Sequence, residues 1–217
     1  MNTFESSNAV IAGKNIVSFS PGIKAADRAD LLDLMMYADS FASQTYRKNE
    51  HWLSWMLYYR DRLERSGCRL RSSIVKPPMV INNVRELDKI RIGFNSEIHA
   101  DKLLDLARRS FKVAALNQYA QDFFEFGSDS GTLNTFQIVP CESLADGEIS
   151  FLLCGLHANA NVASERRGGD WRLNREMVVT IAGGVYSLSG QDFSAHRERI
   201  RSHLQQKGRF NIAHINI

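Results

Sequence analysis

The sequence predicts an α+β fold: an N-terminal helical layer packed on a C-terminal antiparallel sheet of four or five strands, with a late helix and a terminal strand. Three observations carry this expectation. Between residues 25 and 126 apolar side chains recur every three or four positions, the period of a helix with one buried face. Between residues 133 and 188 they alternate or run together, as strands do. The rhythm changes at Gly127-Ser128-Asp129-Ser130-Gly131, the clearest loop in the chain. At 217 residues one shared core is expected. The organisation reads as an extended arm over 1–23 and a single domain over 24–217, with a helical half at 24–127 and a strand-rich half at 132–217.

The arm contains Val10-Ile11 and Ile16-Val17-Ser18-Phe19, two short strand-forming runs separated by Gly13 and closed by Pro21-Gly22. A first helix is expected over 25–46, with Leu31, Leu34, Met35, Ala38, Phe41 and Ala42 on one stripe. Asn49 suits the N-cap of a second helix that ends at Gly67. Its face is Trp52, Trp55, Met56, Tyr59 and Leu63, the densest aromatic stripe in the chain. The short connection between these helices predicts antiparallel packing. A short strand is expected over 68–75. Asn83 and Glu86 have capping-box spacing, and Val84, Leu87, Ile90, Phe94 and Ile98 follow at helical intervals, with Gly93 as a weak point. A longer helix is expected over 100–126.

The second half predicts a meander. Strands over 133–141 and 148–163 flank an Asp146-Gly147 turn, a third returns over 171–182, and a fourth covers 185–188 after Gly183-Gly184. Ser189, with Asp192 three positions on, opens a helix to Lys207, and residues 209–217 form a closing strand. The expected core joins Trp52, Trp55, Tyr59, Phe111 and Phe123 to Leu152, Leu156, Val179 and Ile181.

Composition narrows the function classes. A net charge of +3 is too small and too dispersed to expect nucleic acid as a partner. No run approaches the roughly 20 apolar residues of a membrane-spanning helix. Cys68, Cys141 and Cys154 are odd in number and far apart, which predicts reduced thiols and a cytoplasmic setting. No secretion signal is visible, although export without a cleavable signal stays open. The six histidines and three cysteines lack metal-ligand spacing, so no metal and no cofactor is expected.

Candidate chemistry concentrates on the strand over 149–162. Alternation places His157, Asn159 and Asn161 in file on one face, a candidate ligand-binding set, although a sheet face partly open to water accounts for the same pattern. Cys154 and His157 fall on opposite faces, so they cannot form a nucleophile–base pair without a bulge. Arg60, Arg62, Arg65, Arg69, Arg71 and Lys76 make the densest basic stretch, but Asp61 and Glu64 within it favour a solvated helix face.

These observations lead to a non-enzymatic protein that associates with itself through its two ends. The self-association candidates are Val10, Ile11, Ile16, Val17 and Phe19 in the first segment, and Phe210, Ile212, Ile215 and Ile217 in the last. Both segments are strand-prone and apolar, and such ends need a partner in the same chain or a neighbouring one. Two alternatives come from other classes. One is a secreted effector or pore-forming toxin acting through the sparsely charged hairpin over 149–191; the other is a small enzyme with its polar site around His157.

Overall fold

The computed structural model describes residues 8–12, 15–48, 50–82, 86, 91–113, 134–167, 170–207 and 212–216. Its elements in chain order are β1 (Asn8–Ala12), β2 (Asn15–Phe19), α1 (Ala25–Thr45), α2 (Trp52–Glu64), β3 (Cys68–Ser73), β4 (Met79–Ile81), α3 (Asp101–Val113), β5 (Asn134–Ser143), β6 (Ile149–Arg167), β7 (Asp170–Leu188), α4 (Gly190–Lys207) and β8 (Ile212–Asn216). The fold is α+β.

β6 and β7 form one antiparallel hairpin of 19 residues per strand, in unbroken register from Ile149 opposite Leu188 to Arg167 opposite Asp170. Gly183-Gly184 therefore does not separate two strands. These glycines are required by close approach. A Cβ on Gly183, whose φ is +145°, would fall on the Leu153 carbonyl oxygen, and one on Gly184 would lie 2.5 Å from the Ser72 carbonyl oxygen of β3. β5 pairs antiparallel with the other edge of β6, which gives the expected meander.

The sheet is wider than four or five strands, and it is mixed. Its order is β3-β7-β6-β5-β2-β1-β8, with β4 also on β7, eight strands in all. The segment expected as an arm supplies two of them. β2 pairs in parallel with β5, from Asn15 opposite Gln137 to Phe19 opposite Cys141. β1 pairs antiparallel with β2 on one side and with β8 on the other. All five residues of β2 are buried, as in strands covered on both faces.

Helices lie on both faces, so there are two cores. Odd-numbered β6 residues Phe151 and Leu153 meet Trp52, Trp55 and Tyr59 of α2, together with α1 and α4. Even-numbered Leu152, Cys154, Leu156 and Ala158 meet Leu103 and Ala107 of α3, with Val179 and Ile181 of β7. The residues expected to share one core are thus split by the sheet. The Phe111 side chain and Phe123 lie outside the described residues. The reason is local: Phe151-Leu152-Leu153-Cys154 is apolar on both parities, the pattern of a strand buried on two sides.

The Ser189 signal acts as expected at the start of α4. The Asp192 N–H donates to Ser189 Oγ at 3.0 Å, capping α4. The Glu86 carboxylate accepts from the Asn82 N–H at 3.0 Å, but residues 91–100 are irregular, and Phe94 bridges Ile74 in place of the expected helix. Asn49, Asn83, Val84, Leu87 and Ile90 lie outside the described residues.

Candidate functional site

β6 carries its odd-numbered residues toward α2, and the register extends that face across the sheet. Asn15, Gln137, Gly155 and Ala182 form one row over β2, β5, β6 and β7. Thr135, His157 and Thr180 form the next, followed by Asn159 and Val178. Apolar rows under the helices thus give way to polar ones at the start of α2.

Trp52, the first residue of α2, closes this boundary. Its ring stacks on His157 with centroids 5.3 Å apart and planes 19° apart. Gly155 permits the approach: a Cβ there would collide with Met56 Cε and come within 3.4 Å of Trp52 Cζ2. Cζ2 is bonded to the carbon that carries Nε1, so the indole N–H lies over the same rows.

Polarity and burial run in opposite directions along this face. Asn159 is exposed, His157 and Thr180 are half-buried, and Gln137 is 0% exposed. Among the described residues neither Gln137 Oε1 nor Gln137 Nε2 has a hydrogen-bond partner, and the same holds for His157 Nδ1 and Trp52 Nε1. Burial lowers the His157 pKa from its ordinary value, which favours a neutral ring.

Of the three residues expected here, the structure keeps His157 and Asn159 on the polar face, with Asn159 at its outer end. Asn161 lies farther out on β6, opposite Glu176, and its side chain is outside the described residues. Sequence reasoning missed Gln137, Thr135 and Trp52. The available signal was Gln137 itself, a lone amide at the same parity as Val139 and Cys141.

Cys154 belongs to the opposite face, and the β6–β7 register has no bulge to bring it to His157. Burial also pushes its thiol pKa up to about 12, away from nucleophilic use. The arginine run is engaged within the fold. Arg60 donates to Tyr186 Oη at 2.7 Å, Arg65 pairs with Asp61, and Arg69 and Arg71 reach Glu148.

The end segments meet in one sheet. Val10, Ile16, Val17 and Phe19 are buried, and both edges of β1 and β2 are paired within the chain. Ile11 pairs with Ile16 and with Ala213. Ile212 and Ile215 lie on β8, opposite Ala12 and Ala9, while Phe210 and Ile217 fall outside the described residues. Of the strands formed by the two ends, β8 is the one left at a sheet edge among the described residues. The β6–β7 hairpin has a different exposure: β5 accompanies it to Ala158 and β4 to Met177, and no other described strand goes farther.

Among the described residues, no group of three His, Cys, Asp or Glu could hold a metal ion, and no helix is long and apolar enough to cross a membrane. No protein-family model matches the chain, and no curated protein matches it. A solved structure of the Evf virulence factor is similar at 12% identity and a TM-score of 0.35, over 87% of this chain and 74% of that one. A likeness this distant bears on neither site nor function.

Proposed function

We propose that this protein works by self-association, through pairing of β8 with β8 of a second copy. The observation that supports the reading is the open edge. Among the described residues no strand pairs with the outer side of β8, and Ile212-Ala213-His214-Ile215-Asn216 has no proline, lysine or carboxylate to block one. Edge strands in monomeric proteins commonly carry such blocks, because unpaired N–H and C=O groups recruit another strand. A two-fold axis beside β8 joins two sheets into one continuous sheet.

The test is the oligomeric state of the full chain by analytical ultracentrifugation, with Ala213→Pro and His214→Pro compared. Adjacent strand residues direct their N–H groups to opposite edges, so one proline removes an outward donor and the other an inward one. The outward variant dissociates the dimer with little change in Tm. A wild-type protein that sediments as a monomer across a wide concentration range refutes the reading.

A second reading, action on a membrane through the 149–191 hairpin, is favoured by the reach of β6 and β7. Residues 159–167 of β6 extend about 30 Å beyond the last β5 pairing at the usual rise per strand residue. A two-stranded ribbon is marginal in water without a surface to pack on. Dye release from liposomes tests it, and intact vesicles after acidification or proteolysis of the protein remove it.

A further inference from the structure

We propose that the buried end of the polar face, at Gln137, Trp52 and His157, binds a small uncharged molecule that carries an adjacent donor and acceptor, as a lactam or carboxamide does. The inference is independent of self-association. Its starting point is Gln137, which is 0% exposed and has, among the described residues, a partner for neither amide atom. Buried polar groups are nearly always hydrogen-bonded, and an orphaned one carries its full desolvation cost. Other orphaned atoms, on Tyr59, Arg62 and Ser66, lie farther along α2 and just past its end, but four gather at this one place. Gln137 pairs with Gly155, Trp52 sits over Gly155, and His157 stacks under Trp52, so unpartnered groups from two strands and a helix converge.

Their chemistry selects the ligand. The Gln137 amide offers an acceptor, Oε1, beside a donor, Nε2, and the planar complement is an N–H beside a C=O. Trp52 Nε1 adds a donor, and neutral His157 can give or accept at Nδ1. The described residues of the two inner rows carry no carboxylate, ammonium or guanidinium, so a charged ligand would be buried unpaired. Exposure along the same face rises from buried Gln137 through half-buried His157 and Thr180 to Asn159, so the open end of the face is at Asn159.

The test uses the full-length protein with 2-pyrrolidinone as probe, followed by ¹H–¹⁵N NMR at the Trp52 indole and the Gln137 amide. Cyclopentanone, which has an acceptor only, and succinate, which is charged, serve as comparisons. Pyrrolidinone is expected to shift both resonances saturably at millimolar concentration, and the comparisons are not. Gln137→Leu is expected to lose the response while Tm holds or rises by about 2–4 °C, since an apolar near-isostere removes the orphaned groups. This variant separates binding from folding. No saturable shift with 100 mM pyrrolidinone overturns the proposal, as does an equal response to cyclopentanone or succinate. A Gln137→Leu protein that melts lower and still responds overturns it too.

Discussion

Arg197 grips Asp30 across the α1–α4 interface with two nitrogens: Nε lies 3.0 and 3.1 Å from the two carboxylate oxygens, and Nη2 lies 2.6 Å from Oδ2. Arg201 adds a second guanidinium at 3.0 Å. The Asp30 side chain is 6% exposed, against 37% and 47% for the arginines. A late helix is thereby fixed to the first one by a buried acid between two half-open bases.

Removing the acid takes from Arg197 its bidentate partner and leaves Arg201 with Asp33 alone. Asp30→Ala is expected to cost about 2 kcal/mol, below the usual figure for a fully buried pair because the arginines stay partly solvated. Urea denaturation read by circular dichroism measures the loss. Arg197→Lys, with Asp30 in place, is expected to lose part of the same stability, since an ammonium cannot reproduce the bidentate fork.

Two of the hairpin's three close glycines should respond very differently to one added methyl. Gly183→Ala combines a left-handed φ with a clash against backbone, and a loss of at least about 3 kcal/mol is expected. Gly155→Ala meets mainly the end of the flexible Met56 side chain, so a loss near 1 kcal/mol is expected. Thermal melts of the two variants side by side check the contrast.

Acid should weaken the fold through two histidines. Burial lowers the pKa of His157 and of His203 below the ordinary 6.5. Below that value the unfolded chain takes up protons that the folded chain resists, so stability is full above pH 6.5 and falls as pH drops through it. His157→Phe keeps the stack on Trp52 and should flatten part of the Tm profile between pH 7.5 and 5.5. His203, which hydrogen-bonds Ser40 and stacks on Phe41, supplies another part, and His203→Phe should flatten that.

Thiol chemistry should report global unfolding only. Cys68, Cys141 and Cys154 are free and buried, and burial raises all three pKa values. The native protein should leave a thiol-reactive chromogen unreacted for hours, and denaturant should release three equivalents. Rapid native labelling of any of them would mean that the cores open locally.

Much of this fold can be read from local pattern. The stripes of α1 and α2 and the Ser189 cap of α4 depend on residues a few positions apart, where periodicity and capping act. The place of β2 could not be read the same way. Ile16-Val17-Ser18-Phe19 signals a strand, but its parallel partner is β5, and no turn joins the two. Gly183-Gly184 reads as a turn because the atoms that demand glycine, the Leu153 and Ser72 carbonyls, belong to other strands. The polar face was half legible for the same reason. His157 and Asn159 share one strand and its two-residue period, whereas Gln137 and Trp52 join them only through pairing and packing.

The parallel pairing of β2 with β5 also sets a conflict between time and space. β2 is synthesised more than a hundred residues before the strand it lies against, and contacts so distant in sequence form slowly. A ribosome that pauses before residue 134 holds out Ile16, Val17 and Phe19 with no sheet to receive them. A nascent chain in that state keeps apolar surface uncovered, and the earliest strands to be made are among the last to be sheltered.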